Sequence, residues 1–215
     1  MDIDFTRAEM NVRYRLLTNF VGPRPIALVS TRGASGGNNA APMSFFNVMS
    51  HEPPLLVLGI QPREPGHDKD TVRNMRDTGE FTVNMVDMAL APGMLLCGLD
   101  PGPGQDEIAL AGLTALPGVQ VDAPRIAESP CAFECRVERI IDYPRRAVVL
   151  GEVVHMHVRD DCLDAAGRYV NPAVYQPIAR LHADSYIAAS DQFDLPSPPL
   201  EALTGRARAA GAGGA

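Results

Sequence analysis

Glycine and proline punctuate this chain so densely that long regular elements cannot run through it. Nineteen of each stand among 215 residues, about 18% against a usual figure of roughly 12%. Proline removes a backbone donor and glycine weakens the interior of an element, so short strands joined by turns are favoured over a helix bundle. Hydrophobic residues nevertheless make up 46% of the chain. A chain of this length buries roughly 70% of its unfolded surface and needs no metal or disulfide staple.

The apolar pattern predicts where the short elements lie. After a polar segment through Asn19, Pro25 to Ser30 reads as a buried strand. Thr31 to Asn39 reads as a hairpin turn, because its three glycines and two asparagines supply positive-φ positions. Strands are predicted over Met43 to Met49 and Leu55 to Ile60, and a short helix over Asp70 to Arg76 with Asp70 as N-cap and Gly79 past its end. Phe81 to Met85 alternates as a half-buried strand, and Asp87 to Leu113 reads as short helices. In Ala132 to Ile140, Phe133, Cys135 and Val137 face one way and Glu134, Arg136 and Glu138 the other. Arg146 to Val158 is long enough to pair with that strand across Asp142 to Arg145. The expected fold is mainly β with α insertions, a closed or split antiparallel barrel. One domain is expected over 1–195, followed by a Pro-, Gly- and Ala-rich tail over 196–215 that is partly disordered.

Charge narrows the partners. A net charge of −7 and a pI near 5.2 argue against nucleic acid or an anionic membrane as main partner. No apolar run approaches the roughly 18 residues that span a bilayer, and the acidic start Met1-Asp2-Ile3-Asp4-Phe5 lacks the features of a signal peptide. Cys97, Cys131, Cys135 and Cys162 form no CxxC pair, so reduced thiols in a cytoplasmic protein are expected.

Most chemical motifs dissolve on inspection. Gly33-Ala34-Ser35-Gly36-Gly37 matches GxSxG, but Pro42 follows closely and blocks the helix that a nucleophile elbow requires, which leaves a hairpin turn. There is no Gly-Lys dipeptide for a Walker A loop, and Gly102-Pro103-Gly104 follows no strand. Cys131 and Cys135 lie roughly 13 Å apart in extended chain and read as small core residues. His155 and His157 share a strand face with Val149, Gly151 and Val153 in the predicted alternation. An H-x-H pair can open a metal site, but a third and fourth ligand are needed and no further His or Cys is near in sequence, so no metal is expected. The most suggestive cation is Lys69, the only lysine beside eighteen arginines, placed with Thr71 at a helix N-terminus where a phosphate would be held.

These segments, taken together, resemble the flavin reductase-like, FMN-binding split-barrel family. The resemblance rests on Arg24-Pro25-Ile26-Ala27-Leu28-Val29-Ser30-Thr31, on Gly37 to Asn47 (GNNAAPMSFFN), on Ser50-His51-Glu52-Pro53-Pro54 and on Lys69-Asp70-Thr71 with Asn74. It continues through Glu80 to Asn84, Gly151-Glu152-Val153-Val154 and Pro177 to Leu181. It implies a split-barrel homodimer binding FMN and using NADH or NADPH to reduce flavin, in some members as partner of a monooxygenase. A flavoredoxin-like electron carrier reduced by a partner protein is the alternative, and a non-flavin barrel holding metal at His155 and His157 a third reading. By the same resemblance Ser30, Thr31, Asn39, Ala40, Ala41, Ser44 and Asn47 line the flavin, and Lys69 and Thr71 meet its phosphate. His182 stands where relatives often carry glycine, a departure beside the nicotinamide or substrate space. FMN performs the redox chemistry itself, so the lack of a triad or paired catalytic carboxylates is consistent with this assignment.

Overall fold

The computed structural model describes residues 1–64 and 66–200. The tail expected over 196–215 therefore lies mostly outside the described residues. In chain order the elements are helix α1 (Met10–Phe20), strands β1 (Arg24–Pro25), β2 (Ala27–Arg32), β3 (Asn38–Met43), β4 (Phe46–His51) and β5 (Pro54–Ile60), and helix α2 (Asp70–Thr78). Then come β6 (Glu80–Met85), helices α3 (Ala91–Cys97) and α4 (Glu107–Leu110), β7 (Ala115–Leu116), β8 (Arg125–Ile126), β9 (Cys131–Tyr143), β10 (Arg146–Val158), β11 (Ile178–Arg180) and β12 (Tyr186–Ala188).

Seven strands form one antiparallel sheet in the order β3-β2-β6-β9-β10-β5-β4. The two end strands, β3 and β4, are separated in sequence only by Ser44 and Phe45, so the sheet must curl until its edges meet. The Phe45 carbonyl accepts the Gly59 N–H at 2.7 Å and helps fasten the seam. The result is the mainly β barrel with helical insertions that the sequence predicts.

Strand β2 explains why two cores form. Its residues alternate, with Ala27 and Val29 facing a barrel interior that also contains Leu58, Phe81, Val83 and Val149. Leu28, with Ile26 just before the strand, faces outward into a second core with Leu90, Met94, Ile108 and Ile126. A strand buried on both faces reads as a continuous apolar run rather than an alternating one. Helix α2 drives Val72 and Met75 into the barrel interior, and each such fully buried side chain contributes about 1.5–3 kcal/mol. Gly79, at φ 72°, ends that helix by donating its N–H to the Met75 carbonyl at 3.0 Å.

The structure corrects four local expectations. Met10–Phe20 is a helix although the segment reads as merely polar; it buries only Thr18, leaves Met10, Tyr14 and Leu17 exposed along one face, and its N-cap Glu9 makes no side-chain cap. The predicted strand Met43 to Met49 is two strands that turn a corner at Ser44-Phe45. Lys69, not Asp70, is the N-cap of α2, because the Asp70 carboxylate goes to Arg73 at 2.7 Å and the Gly104 N–H at 2.8 Å. Finally, a bulge between Val153 and His155 interrupts the β9–β10 ladder. It moves His155 and His157 to the face opposite Val153, opposite Glu134 and Ala132 of β9.

Gly151 has a packing reason to be glycine. A Cβ at that position would overlap the Phe81 ring, meeting Cε1 at 2.6 Å, and Phe81 is fully buried in the barrel. Gly151→Ala is therefore expected to destabilise the fold by about 1–3 kcal/mol through overpacking. Urea unfolding followed by circular dichroism checks this, and an unchanged midpoint would show that the ring moves freely.

Candidate functional site

The β2–β3 hairpin places Thr31 opposite Asn39 and Ser30 opposite Ala40. The Asn39 amide donates to Thr71 Oγ1 at 3.0 Å and to Thr31 Oγ1 at 3.3 Å, and the Asn74 amide donates to Thr31 Oγ1 at 3.0 Å. All four side chains are buried. These bonds fix the first turn of α2 against β3, an edge strand that pairs only with β2. The N-cap of α2 makes no side-chain cap bond, so the free N–H groups of its first turn retain their capacity for an anion.

A cavity of about 70 Å³ opens at this junction, lined by Asn39, Ala40, Ala41, Arg63, Lys69, Thr71 and Glu107 among others. Lys69 enters no ion pair among the described residues. The Arg63 guanidinium bonds Asp100 at 2.9 Å, yet its Nε is buried without a partner. Glu107 accepts the edge N–H of Ala40 at 3.2 Å, and burial pushes its carboxyl above the usual carboxylate range. A second cavity of about 280 Å³ shares Pro42, Gly98 and Leu99 with the first and adds Met43, Ser44, Met94, Leu95, Arg180 and Tyr186. The first cavity, which also carries Asp70 and Asp100 beside its two cations, and the second, to which Met43, Met94 and Leu95 add apolar side chains, thus adjoin along one strand edge.

The profile of the flavin reductase like domain matches residues 22–179. The chain belongs to the flavin reductase-like family. The 2-nitrobenzoate 2-nitroreductase of Pseudomonas fluorescens is 36% identical, with a TM-score of 0.84 over 93% of this chain and 98% of its own. Component B of the nitrilotriacetate monooxygenase of Bacillus cereus is 31% identical, with a TM-score of 0.86 over 91% and 98%. A split-barrel protein of Shewanella frigidimarina shares the fold at 20% identity, with a TM-score of 0.78 over 92% of this chain and all of its own.

Within this flavin reductase-like barrel, the residues singled out from the sequence separate into groups. Asn39, Ala40, Ala41, Lys69 and Thr71 line the first cavity, and Ser44 lines the second. Thr31 stands behind them as the acceptor that holds both amides. Ser30 does not join them. It is fully buried on the outer face of the sheet, donates to the Pro124 carbonyl and accepts from Asn84 at 2.9 Å, so it seats the segment leading to β8. Asn47 is exposed on β4 with its Oδ1 accepting the Val48 N–H at 2.8 Å, outside both cavities. His182 is exposed in the hairpin between β11 and β12, while Arg180 lines the second cavity. Arg63 and Glu107 are lining residues that sequence reading missed. Arg63 lies in a Pro-rich loop with no periodic signal, although a second cation six residues before Lys69 was the available clue.

Proposed function

We propose that this protein is an FMN-dependent oxidoreductase that reduces flavin with NADH or NADPH. The observation that carries the reading is the convergence of Lys69, Arg63, the Thr71 hydroxyl and the uncapped start of α2 on one cavity. Those donors suit a phosphate monoester, by charge-assisted bonds from the cations and by the helix N-terminus. The neutral amide of Asn39 and the open edge of β3 suit a polyhydroxylated chain, and the apolar wall of Pro42, Met43, Met94 and Leu95 suits a flat ring. FMN, when bound, supplies the two-electron chemistry. This chain's part is to bind and orient the cofactor. Ala40 and Ala41 leave the strand edge open to close approach, and the Thr31–Asn39–Thr71 bonds keep the phosphate end fixed relative to that edge.

A homodimer is part of this reading, motivated by the family and by exposed apolar side chains such as Val48 and Met49 on the end strand β4. Light scattering at about twice the 23.1 kDa chain mass is the expected outcome, and a monomer at micromolar concentration would refute it. The likeness to a monooxygenase component B supports reduced flavin being passed to a monooxygenase partner, and the likeness to a nitroreductase supports a nitroaromatic acceptor as a second reading. The four buried free thiols fit a cytoplasmic setting. A flavoredoxin-like carrier, reduced only by a protein, is the competing reading.

Steady-state oxidation of NADH and of NADPH, with FMN or a nitroarene as acceptor, decides among these. Turnover with either nucleotide is expected; a protein that binds FMN but oxidises neither would be the electron carrier. Lys69→Ala is expected to weaken FMN binding by about 1.5–3 kcal/mol while leaving riboflavin nearly unaffected. Titration of both ligands by flavin fluorescence checks this, and equal losses would remove Lys69 from the phosphate site.

A further inference from the structure

The bulge in β10 assembles a cluster that is separate from the cavities along β3. His155 comes to lie opposite Glu134, with His157 two residues further on, all on the outer face of the β9–β10 ladder. One ligand atom from each lies within 4.8 Å of the others. The two imidazoles meet edge to face, with ring centroids 4.7 Å apart. We propose that Glu134, His155 and His157 form a binding site for a divalent transition-metal ion of the zinc class.

The carboxylate is already oriented as a ligand should be. Glu134 is fully buried, its Oε2 accepts the Gln120 and Val121 N–H groups at 2.6 and 3.1 Å, and its Oε1 accepts the Val119 N–H at 2.8 Å. Backbone donors of this kind fix a ligating group from outside the coordination sphere. The remaining lone pair of Oε1 points at His157 Nε2, 2.5 Å away. A metal ion entering there replaces the shared proton, which leaves to solvent, and joins both atoms through bonds of about 2.0–2.2 Å. The Glu134–His157 contact alone would serve merely to anchor residues 118–121. His155 is the residue that such an anchor leaves without a task. It is half-buried, packs against His157, and its ring enters no hydrogen bond among the described residues.

Two imidazole nitrogens and one carboxylate oxygen suit zinc, cobalt or nickel, whereas calcium and magnesium demand oxygen donors. Three protein ligands leave a fourth position to water. Tetrahedral coordination at those bond lengths sets ligand atoms roughly 3.3 Å apart, so the His157 ring must draw back from its 2.5 Å contact while Glu134 stays on its amides.

This inference is independent of the flavin reading, and its test does not use activity. The full-length chain is treated with chelator and titrated with ZnCl2 by calorimetry, and with Co²⁺ by visible absorption. One zinc per chain and the intense ligand-field bands of low-coordinate cobalt are expected. His155→Gln should weaken zinc binding by more than the roughly 10–100-fold that loss of an outer-shell partner costs. The metal-free variant should keep the wild-type circular dichroism, and His51→Gln should bind zinc as wild type does. A wild-type chain that binds neither ion, or that gives only the weak spectrum of hydrated cobalt, overturns the proposal. So does a folded His155→Gln chain with unchanged zinc affinity.

Discussion

Two buried side-chain amides hold the site together. Asn39 from the edge strand and Asn74 from the second turn of α2 both donate to the Thr31 hydroxyl, and Asn39 also reaches Thr71. Each bond contributes only about 0.5–1.5 kcal/mol net, but removing the shared acceptor would leave two buried donors unsatisfied, at about 1–3 kcal/mol each. The network therefore does more than add stability. It fixes the uncapped helix start beside the open edge of β3, and the end of the cavity beside Lys69 exists only while that juxtaposition holds.

That juxtaposition depends in turn on β2, which is buried on both faces. Its inward residues and Val72 and Met75 of α2 belong to the barrel core, so the helix is pressed onto the barrel end. Its outward residues belong to the core built with α3 and α4, which brings Cys97, Gly98, Leu99 and Glu107 to the other side of the cavity. The polar outward residues of the same region, Ser30, Thr82 and Asn84, bind the carbonyls and N–H of residues 123–126. A single strand thus sets the positions of both walls, and Gly33 to Gly37 closes its hairpin with a short turn whose Gly33 N–H donates to the Gly37 carbonyl at 2.8 Å.

What could be read from the sequence follows from how locally each feature is encoded. The β9–β10 hairpin is legible because alternation over many residues is a local signal, and β2 because a two-sided burial requires a continuous apolar run. Lys69 and Thr71 stand out for composition and helix-start chemistry. Helix α1 was not legible, since its attachment is tertiary: Arg24 donates to the Thr18, Val21 and Leu181 carbonyls, and Tyr14 packs near Phe45. The corner at Ser44-Phe45 carries neither glycine nor proline and is made by the bond to Gly59 across the barrel seam. Ser30 is a small hydroxyl beside the site in sequence whose bonds go to Pro124 and Asn84, partners that no local pattern announces. The position of Glu134 beside the two histidines needed a bulge, which shifts face by one residue and leaves no trace in composition.

The uneven use of cations gives the arrangement its last physical rationale. Arginines do the fixed work: Arg24 grips three carbonyls, Arg76 bridges Asp68 and Asp142, and Arg146 stacks on Phe45 while bonding the Gly59 carbonyl. A planar fork of donors is suited to such multidentate and stacked contacts. The single lysine is kept out of them and placed at the helix start. An ammonium is a compact charge on a flexible stem with rotatable donors, free of the fixed geometry that a guanidinium imposes. Arg63 supplies the complementary element, a guanidinium half-committed to Asp100 whose buried Nε still lacks a partner. An unsatisfied buried donor is costly unless something else supplies its acceptor. Arg63 and Lys69 thus bring one cation held by an ion pair and one without an ion pair among the described residues to the same cavity.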